Sequence, residues 1–491
     1  MKRVIIISFL TVGIIFSSCQ KEVTEIVPPD RISSSLAFST ATKMEASIMG
    51  AYNSLQSADF LSGRALVYVD LLGNDIYDRS NFFGDLPRFN LLSNAGIPGG
   101  IWNAGYASIA TANRAIAGVT ANPGVVSAAK AKEFIAECLF VRAISHFYLV
   151  NFFAQPYGFT ADGSHIGIPL ITENFTSNDP AANKPRSTVA QVYTSIISDL
   201  NAALADLPAT YGASSSYASK TRATKAAAAS LLARVYLYKG DYANAKSMSL
   251  NVINGQYGSF TLNSSPNGAF GPGNYQTAET IWSIPNNATD NPNTNNALPQ
   301  HYYPSGRGDL AISSNFINIA TNTYFALDDR RRSMIISGTT PTTASSLFTN
   351  KYPDVATRSD WSPVIRYAEV LLTYAEASAQ VASVVDADAI AKLNLVRDRA
   401  RVSAPQYTVA SFTSKSDLIN AILGERRIEL AFEGHRFWDI MRIKGTVTNK
   451  FDGDGVTVLP AQAFGANKSV FPIPQGEVDK SNGVLIQNSG Y

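Results

Sequence analysis

The chain has 491 residues, and its 40 Lys and Arg against 38 Asp and Glu give a formal charge of +2. A charge so close to zero excludes nucleic acids and acidic membranes as partners held by bulk electrostatics. The length is ample for a substantial core. If Cys19 is modified as described next, the only other cysteine, Cys138, has no disulfide partner.

The first residues have the pattern of a lipoprotein signal. Two basic residues precede an apolar run from Val4 to Phe16, and two serines stand before Cys19. Phe16 does not suit the small-x-small site of an ordinary signal peptidase, and the run is short for a bilayer span. We predict a signal peptide at 1–18, lipidation of Cys19 and a flexible tether at 19–39. The alternative is a plain secreted protein with an incidental cysteine.

Helical patterns dominate residues 40–259, which we predict to form a helical N-terminal region. Apolar residues recur at helical spacing at 42–55, 101–119, 129–153, 189–207, 221–239 and 241–253. The last two segments resemble a tetratricopeptide helix pair, because Ala227 and Ala233 permit close contact and Gly240-Asp241 suits the turn. Cys138 lies within a predicted helix and is expected to be a small core residue.

Residues 260–491 form the predicted C-terminal region, and its first hundred residues differ in composition. Residues 260–361 are rich in Asn, Gly, Pro, Ser and Thr, with short apolar fragments. We expect long loops, a few short strands and one helix near Ser314, since loops this long in an ordered protein usually serve a function. Helices return at 364–379, 386–400 and 416–443. The predicted fold class is therefore mainly α, with tetratricopeptide-like helix pairs plus an irregular, loop-rich lobe.

Several motifs resemble those of the SusD/RagB family of surface glycan-binding lipoproteins. The most specific is ERRIELAFEGHRFWD, at Glu425–Asp439. The others are GAY at Gly50, IW at Ile101, RA at Arg142, GIPL at Gly167, RYAEVLL at Arg366, NLVRDRA at Asn394, FPIP at Phe471 and QNSGY at Gln487.

The resemblance implies a SusD-like fold and a binding protein without enzymatic activity. Such proteins capture oligosaccharides or peptides at the cell surface and are anchored in the outer membrane by lipid. They pair with a SusC-like TonB-dependent transporter and act as a lid over it. We therefore expect an outer-membrane, lipid-anchored and surface-exposed protein that binds a SusC-like transporter and no nucleic acid.

The Glu425–Asp439 motif combines acids, arginines and His435, as a catalytic site would. Its charged residues lie one helical turn apart, which favours ion pairs and a half-buried, hydrogen-bonded histidine. The sequence has no HExxH or GxSxG pattern. Asp452-Gly453-Asp454-Gly455 lacks the acid that a calcium loop needs at its twelfth position, so we interpret it as a surface turn. Arg307-Gly308-Asp309 is interpreted as incidental, and no catalytic residue, metal or cofactor is predicted.

Carbohydrate capture requires aromatic rings for the apolar faces of the sugar and polar side chains for its hydroxyl groups. Two segments offer both, namely the loop at 74–83 and the loop-rich lobe at 286–303 with Trp361. For any single ring, core packing is the competing interpretation, and we expect it for Trp102 and Trp438. The candidate ligand-binding residues are Asp75, Tyr77, Arg79, Asn81, Phe82, Phe83, Tyr302, Tyr303 and Trp361.

The predicted function is that of a glycan-binding lipoprotein, which delivers oligosaccharides to its transporter. One alternative is the same role for peptides, as in the RagB branch. The others are a surface hydrolase or a non-catalytic, tetratricopeptide-like surface adaptor. The Tyr302-Tyr303 pair and the near-neutral charge favour sugar over peptide, and the sequence does not identify the sugar.

Overall fold

The computed structural model of the chain describes residues 34–175, 179–340 and 343–491. The predicted signal peptide, Cys19 and the tether as far as residue 33 lie outside the described residues. Within the described part, long helices carry the fold and the strands are short and paired in twos. The mainly α fold class is confirmed.

The helices form one long series up to residue 253 and a second set after residue 366, with two short helices between them in the described part of the chain. In chain order they are α1 (Ser34–Ala37), α2 (Ala41–Leu55), α3 (Arg64–Leu72), α4 (Gly96–Ala121), α5 (Ala128–Phe153), α6 (Val189–Asp206), α7 (Tyr217–Thr221), α8 (Lys225–Lys239), α9 (Tyr242–Ile253), α10 (Leu298–Tyr302), α11 (Ser314–Ile317), α12 (Tyr367–Val381), α13 (Ala387–Asp398), α14 (Lys415–Glu429), α15 (Arg436–Arg442) and α16 (Gln475–Lys480).

Within the described residues, the strands pair into five antiparallel two-stranded sheets. The pairs are β1 (Ile76–Asp78) with β5 (Leu310–Ile312), β2 (Ile166–Pro169) with β3 (Arg186–Thr188), β4 (Thr280–Ile284) with β8 (Ser362–Arg366), β6 (Ile335–Thr340) with β7 (Thr343–Thr349), and β9 (Thr446–Val447) with β10 (Gln462–Ala463). The pairs β1–β5 and β4–β8 each join segments far apart in sequence. They therefore fix the loop-rich lobe to the helices.

The predicted helix pair at 221–253 is confirmed as α8 and α9. The side chain of Thr224 caps α8 by accepting from the N–H of Ala227, and Asp241 caps α9 in the same way for Asn244. Gly240 ends α8 in the left-handed conformation, at φ 78°, which costs a residue without Cβ little. The two capping side chains and the glycine thus account for where α8 and α9 begin and for the turn between them.

The helices pack as a continuous series around one core. Helix α4 packs on α5, α5 on α6, α6 on α8, α8 on α9, and α9 on α12, which in turn contacts α13 and α14. Cys138 on α5 is fully buried, and Trp102 and Trp438 are 4% and 5% exposed. The core positions predicted for these three residues are confirmed. No helix in the described ranges is long and apolar enough to cross a bilayer.

The prediction of a single helix at 416–443 is wrong, because this segment forms two helices, α14 and α15. Phe432 and Gly434 adopt positive φ angles of 66° and 77° between the two helices. A Cβ on Gly434 would lie 2.9 Å from the Cα of Leu66, so this close approach of two backbones requires glycine. The break returns α15 against α3, which it contacts.

Candidate functional site

The two segments predicted to bind a ligand lie side by side. Strand β1 pairs with β5, so that Ile76 opposes Ile312. The hydroxyl of Ser80 then donates a hydrogen bond of 2.6 Å to Asp309 Oδ1. Because β1 leads directly into residues 79–83 and β5 directly follows Asp309, the pairing fixes the N-terminal loop against the loop-rich lobe.

Phe82 and Arg307 form the contact between these two segments at the surface. The guanidinium carbon of Arg307 lies 4.1 Å from the centroid of the Phe82 ring, which is half-buried. Arg307 also donates to Asp309 Oδ2 at 2.9 Å and to Asn295 Oδ1 at 3.2 Å. The arginine is therefore held in place by an acid, an amide and an aromatic ring.

The asparagine loop, which we define as residues 286–296, is buried at both ends and exposed between them. Asn286 accepts from the hydroxyl of Ser62 at 2.7 Å and donates to the carbonyl of Asp360 at 2.8 Å. Near the other end, Asn296 donates to the carbonyl of Pro292 at 2.9 Å. Residues 287–290 and 293–295 are exposed, so an anchored loop presents amides and hydroxyls to solvent.

Three aromatic rings cluster at Trp361, which follows the residue whose carbonyl accepts from Asn286 at the start of this loop. Trp361 stacks on Tyr275 with 5.3 Å between ring centroids and 14° between planes. Tyr217 meets Trp361 edge-on at 5.5 Å and is 53% exposed, whereas Trp361 itself is 8% exposed. Burial raises the pKa of Asp360 to about 6, although the Tyr275 hydroxyl donates to it at 2.7 Å. The exposed fractions show that Tyr217 is the ring that faces solvent, and that Trp361 and Tyr275 support it.

Arg358 adds a charged group to the same region. Its Nε donates to Asn291 Oδ1 at 3.2 Å, and its backbone adopts φ 59°, which is unusual for an arginine. The carboxylate of Asp354 holds the turn by accepting from the backbone N–H groups of Thr357 and Ser359. Strained residues that are held in this way concentrate at ligand-binding positions.

We call this region the loop surface. It consists of Phe82, Arg307, the asparagine loop, Arg358 and the rings of Tyr217, Tyr275 and Trp361.

Four of the residues predicted to bind a ligand are buried, and one of them, Trp361 at 8% exposure, supports the exposed ring of Tyr217 instead of presenting its own. Asp75 is 3% exposed, and its carboxylate pairs with Arg427 at 2.5 Å. Phe83 is 3% exposed and packs edge-on against Tyr68. Tyr302 is 1% exposed. A ring or carboxylate enclosed in this way offers no face to a surface ligand, so the loop surface does not include Asp75, Phe83 or Tyr302.

The other predicted residues lie at or near the surface. Asn81 is exposed and accepts from Arg88 at 3.1 Å, and Arg79 lies over the ring of Phe348. Tyr77 is half-buried beneath the turn at 452–457, since a Cβ on Gly455 would lie 2.8 Å from its hydroxyl. Tyr303 is also half-buried.

Sequence reasoning missed Tyr217, Tyr275 and Arg358, and it set Arg307 aside as part of an incidental triplet. Tyr217 follows three consecutive serines, and an exposed tyrosine in so polar a segment was the available signal. The role of Arg307 depends on its stacking with Phe82 across the β1–β5 pair, and no local pattern indicates that contact.

The Glu425–Asp439 motif forms a buried ionic cluster, as predicted, but Glu429 pairs with arginines of other segments and not with a residue one helical turn away. Glu429 contacts Arg399 at 2.6 Å, Arg366 at 3.2 Å and Arg331 at 3.3 Å, and its side chain is 2% exposed. Burial opposes ionisation, but Arg399, Arg366 and Arg331 outweigh it and hold the pKa of Glu429 at about 2. The glutamate is thus a charged anchor that is enclosed by its partners.

His435 was predicted to be half-buried, and it is more enclosed than that, at 6% exposure. Burial lowers its pKa to about 4, so the imidazole is neutral at pH 7. Its Nδ1 lies 3.5 Å from Nη2 of Arg426 on α14. The residue therefore belongs to the packing between α14 and α15.

The chain is similar to known proteins along most of its length. A family model described as "SusD family" matches residues 336–491, and one described as "Starch-binding associating with outer membrane" matches residues 33–237. SusD-like protein P2 of Formosa agariphila is 27% identical, over 92% of this chain and 93% of its own length.

Solved structures agree in fold. A protein of Bacteroides vulgatus, provisionally named a sugar binding protein, is 27% identical with a TM-score of 0.76, and the match covers 92% of this chain and 99% of that one. A SusD superfamily protein of Bacteroides fragilis, at 24% identity, has a TM-score of 0.80 over 91% of this chain and 99% of its own.

Proposed function

The chain belongs to the SusD/RagB family, and from this membership we propose that it captures oligosaccharides on the loop surface. The names of its relatives support a carbohydrate as the ligand. The proposal extends those names to this chain and assigns the binding to specific side chains.

The observation that carries the proposal is the aromatic cluster beside the asparagine loop. Tyr217 offers an exposed ring, and its contact with Trp361 fixes the position of that ring. The asparagine loop starts at Asn286, which donates to the carbonyl of Asp360 next to Trp361, and it presents exposed amides and hydroxyls at 287–290 and 293–295. A pyranose needs this combination, because its C–H face packs on an aromatic ring while its hydroxyl groups need fixed polar partners.

The remaining parts of the proposal concern partners and location. The protein is a non-enzymatic binder at the outer membrane, anchored through Cys19, and it delivers its ligand to a SusC-like TonB-dependent transporter over which it acts as a lid. The starch-binding, outer-membrane description of the matching family supports this location. Burial of Glu425 and Glu429 among arginines supports the absence of catalysis, since a substrate cannot reach either carboxylate.

A binding screen tests the proposal and separates carbohydrate from peptide. Residues 20–491 are titrated calorimetrically with malto-, cello-, xylo- and manno-oligosaccharides, and in parallel with neutral hexapeptides. We expect at least one oligosaccharide series to bind and the peptides not to bind. Binding of the peptides alone would contradict the proposal and identify a peptide as the ligand. Co-purification of a SusC-like protein with the lipidated chain tests the partner.

A further inference from the structure

The structure contains an open cleft that shares no residue with the loop surface. Its volume is about 420 Å³, which lies within the range of small-molecule sites in proteins. One wall is helix α4, the opposite wall is α16, and the segment at 179–184 closes one side. We call it the α4–α16 cleft.

An aromatic pair forms the α4 wall of this cleft. The Trp102 and Tyr106 rings lie 4.7 Å apart, and Trp102 packs edge-on against Phe153 at 5.0 Å. The hydroxyl of Tyr106 donates to the carbonyl of Pro169 at 2.8 Å. Trp102 is enclosed at 4% exposure and supports Tyr106, which is half-buried. The Tyr106 ring is therefore held in a fixed orientation before any ligand arrives, which lowers the entropic cost of binding.

The polar groups of the cleft are amides with unused hydrogen-bonding capacity. Asn103 is exposed beside Trp102, and its side chain bonds to no other described residue. Asn183 donates through Nδ2 to the carbonyl of Ser481 at 3.0 Å, which leaves its Oδ1 to accept from a ligand. Such groups suit hydroxyls that both donate and accept.

The charges at the rim are paired with each other. Lys480 contacts Glu477 at 3.1 Å, and Lys184 contacts Glu173 at 3.3 Å. Asp179 accepts from the backbone N–H of Ala181 at 2.9 Å. The charged side chains that line the cleft are two acids, Asp179 and Glu477, and two bases, Lys184 and Lys480. The cleft thus has no excess of one sign, so it favours a neutral ligand over a charged one.

We propose that the α4–α16 cleft is a second saccharide site, which takes a neutral unit of one to three sugars. The inference rests on the proposed function and deepens it, because two separate sites would let the protein hold two portions of one glycan or two short chains. Simultaneous engagement of two weak sites raises the overall affinity without any new contact.

The four tryptophans of the chain provide a test that reads the two sites separately. The protein is labelled with 5-fluorotryptophan, the four ¹⁹F resonances are assigned with Trp→Phe variants, and maltotriose, cellotriose, xylotriose and mannotriose are titrated in turn. Trp361 reports on the loop surface and Trp102 on the cleft. We expect both resonances to shift, each with its own saturation curve.

A pair of alanine variants shows whether the Trp102 response comes from the cleft itself. Ala182 is exposed and lines the cleft, so Ala182→Phe places a ring in the cleft. Ala107 is an exposed residue of α4 that does not line the cleft, so Ala107→Phe places its ring outside the cleft. Ala182→Phe should raise the dissociation constant read at Trp102 at least tenfold and leave the Trp361 curve unchanged. Ala107→Phe should change neither curve.

The possible outcomes separate this inference from the proposed function. A shift at Trp361 alone, with Trp102 silent for all four trisaccharides, overturns the second site and leaves the first in place. A shift at Trp102 alone supports the cleft and removes the loop surface. A Trp102 shift that survives Ala182→Phe also overturns the cleft, and silence of both resonances contradicts both proposals.

Discussion

The guanidinium of Arg307 lies over the ring of Phe82, 4.1 Å from its centroid, and so joins two loops that are far apart in sequence. The contact places the N-terminal loop and the asparagine loop on one surface. Through Asn295, the same arginine also reaches the exposed part of the asparagine loop. A ligand on this surface would therefore contact both regions.

The first prediction concerns Tyr302, which the structure places in the core. Its hydroxyl donates to Asp70 Oδ2 at 2.6 Å, and both side chains are buried. Tyr302→Phe should lower the free energy of unfolding by about 1–3 kcal/mol, because the buried carboxyl loses a donor. Tyr303→Phe, at the half-buried neighbour, is the control and should change it little. Equal stability of the two variants in urea denaturation would argue against this buried bond.

The second prediction concerns the ionic cluster. Glu429→Gln leaves Arg399, Arg366 and Arg331 without the charge that they share, so it should cost about 3–5 kcal/mol of stability. Glu477→Gln, in the exposed pair with Lys480, should cost less than about 1 kcal/mol. Guanidinium denaturation measures both. Unchanged stability together with the loss of a measurable hydrolytic activity would instead make Glu429 catalytic.

The third prediction concerns the pH dependence of stability through Asp70. Burial raises its pKa from 3.8 to about 7, against the hydrogen bonds from Tyr302 and Gly434. At pH values between 3.8 and about 7, Asp70 is protonated in the folded state and ionised in the unfolded state. The contribution of Asp70 to stability is therefore present below about pH 4 and is lost as the pH rises towards and through 7.

Asp70→Asn cannot titrate, so it isolates this effect. We expect the stability of the native protein relative to the variant to fall between pH 4.5 and 7.5, by at most about 1.4 kcal/mol for each pH unit. Asp360, whose pKa is also raised, is common to both proteins and cancels in the comparison. Urea titrations at four pH values give the difference, and a difference that is constant with pH would contradict the raised pKa.

Much of the helical scaffold could be predicted from the sequence, whereas the surface could not. The small residues Ala227 and Ala233 and the turn at Gly240 are local signals, and they identified the α8–α9 pair. The break at Gly434 was missed because it depends on the backbone of Leu66, which approaches from another helix. The local sequence pattern around Gly434 does not indicate such a contact.

The same distinction applies to the candidate site. Composition identified the two loops, but it could not separate Phe82 from Phe83, which are adjacent and equally apolar. Phe83 points into the core against Tyr68, and Phe82 meets Arg307 at the surface. The exposed ring of Tyr217 belongs to α7, in the N-terminal half, and only the fold brings it to Trp361.

The fourth prediction concerns the anchor, which lies outside the described residues. Cys19→Ala should abolish labelling with radioactive palmitate and move the protein out of the membrane fraction. Cys138→Ala is the matched control, because this cysteine is fully buried in α5 and should keep the label on the protein. A Cys19→Ala protein that still carries the label would contradict the lipoprotein hypothesis.

The last prediction concerns the loop surface, and calorimetric titration with the tightest-binding oligosaccharide of the screen tests it most directly. An exposed ring contributes on the order of 1 kcal/mol to stacking. Tyr217→Ala combined with Phe82→Ala should therefore weaken binding at least tenfold, which corresponds to about 1.4 kcal/mol. Phe159→Ala, at a ring that is 43% exposed elsewhere, should bind like the native protein. We expect the melting temperature of Phe159→Ala to stay close to the native value and that of the folded double variant to be lower, because Phe82 packs against Phe83 and the core. If the double variant folds and binds the oligosaccharide as tightly as the native protein does, the loop surface is not the capture site.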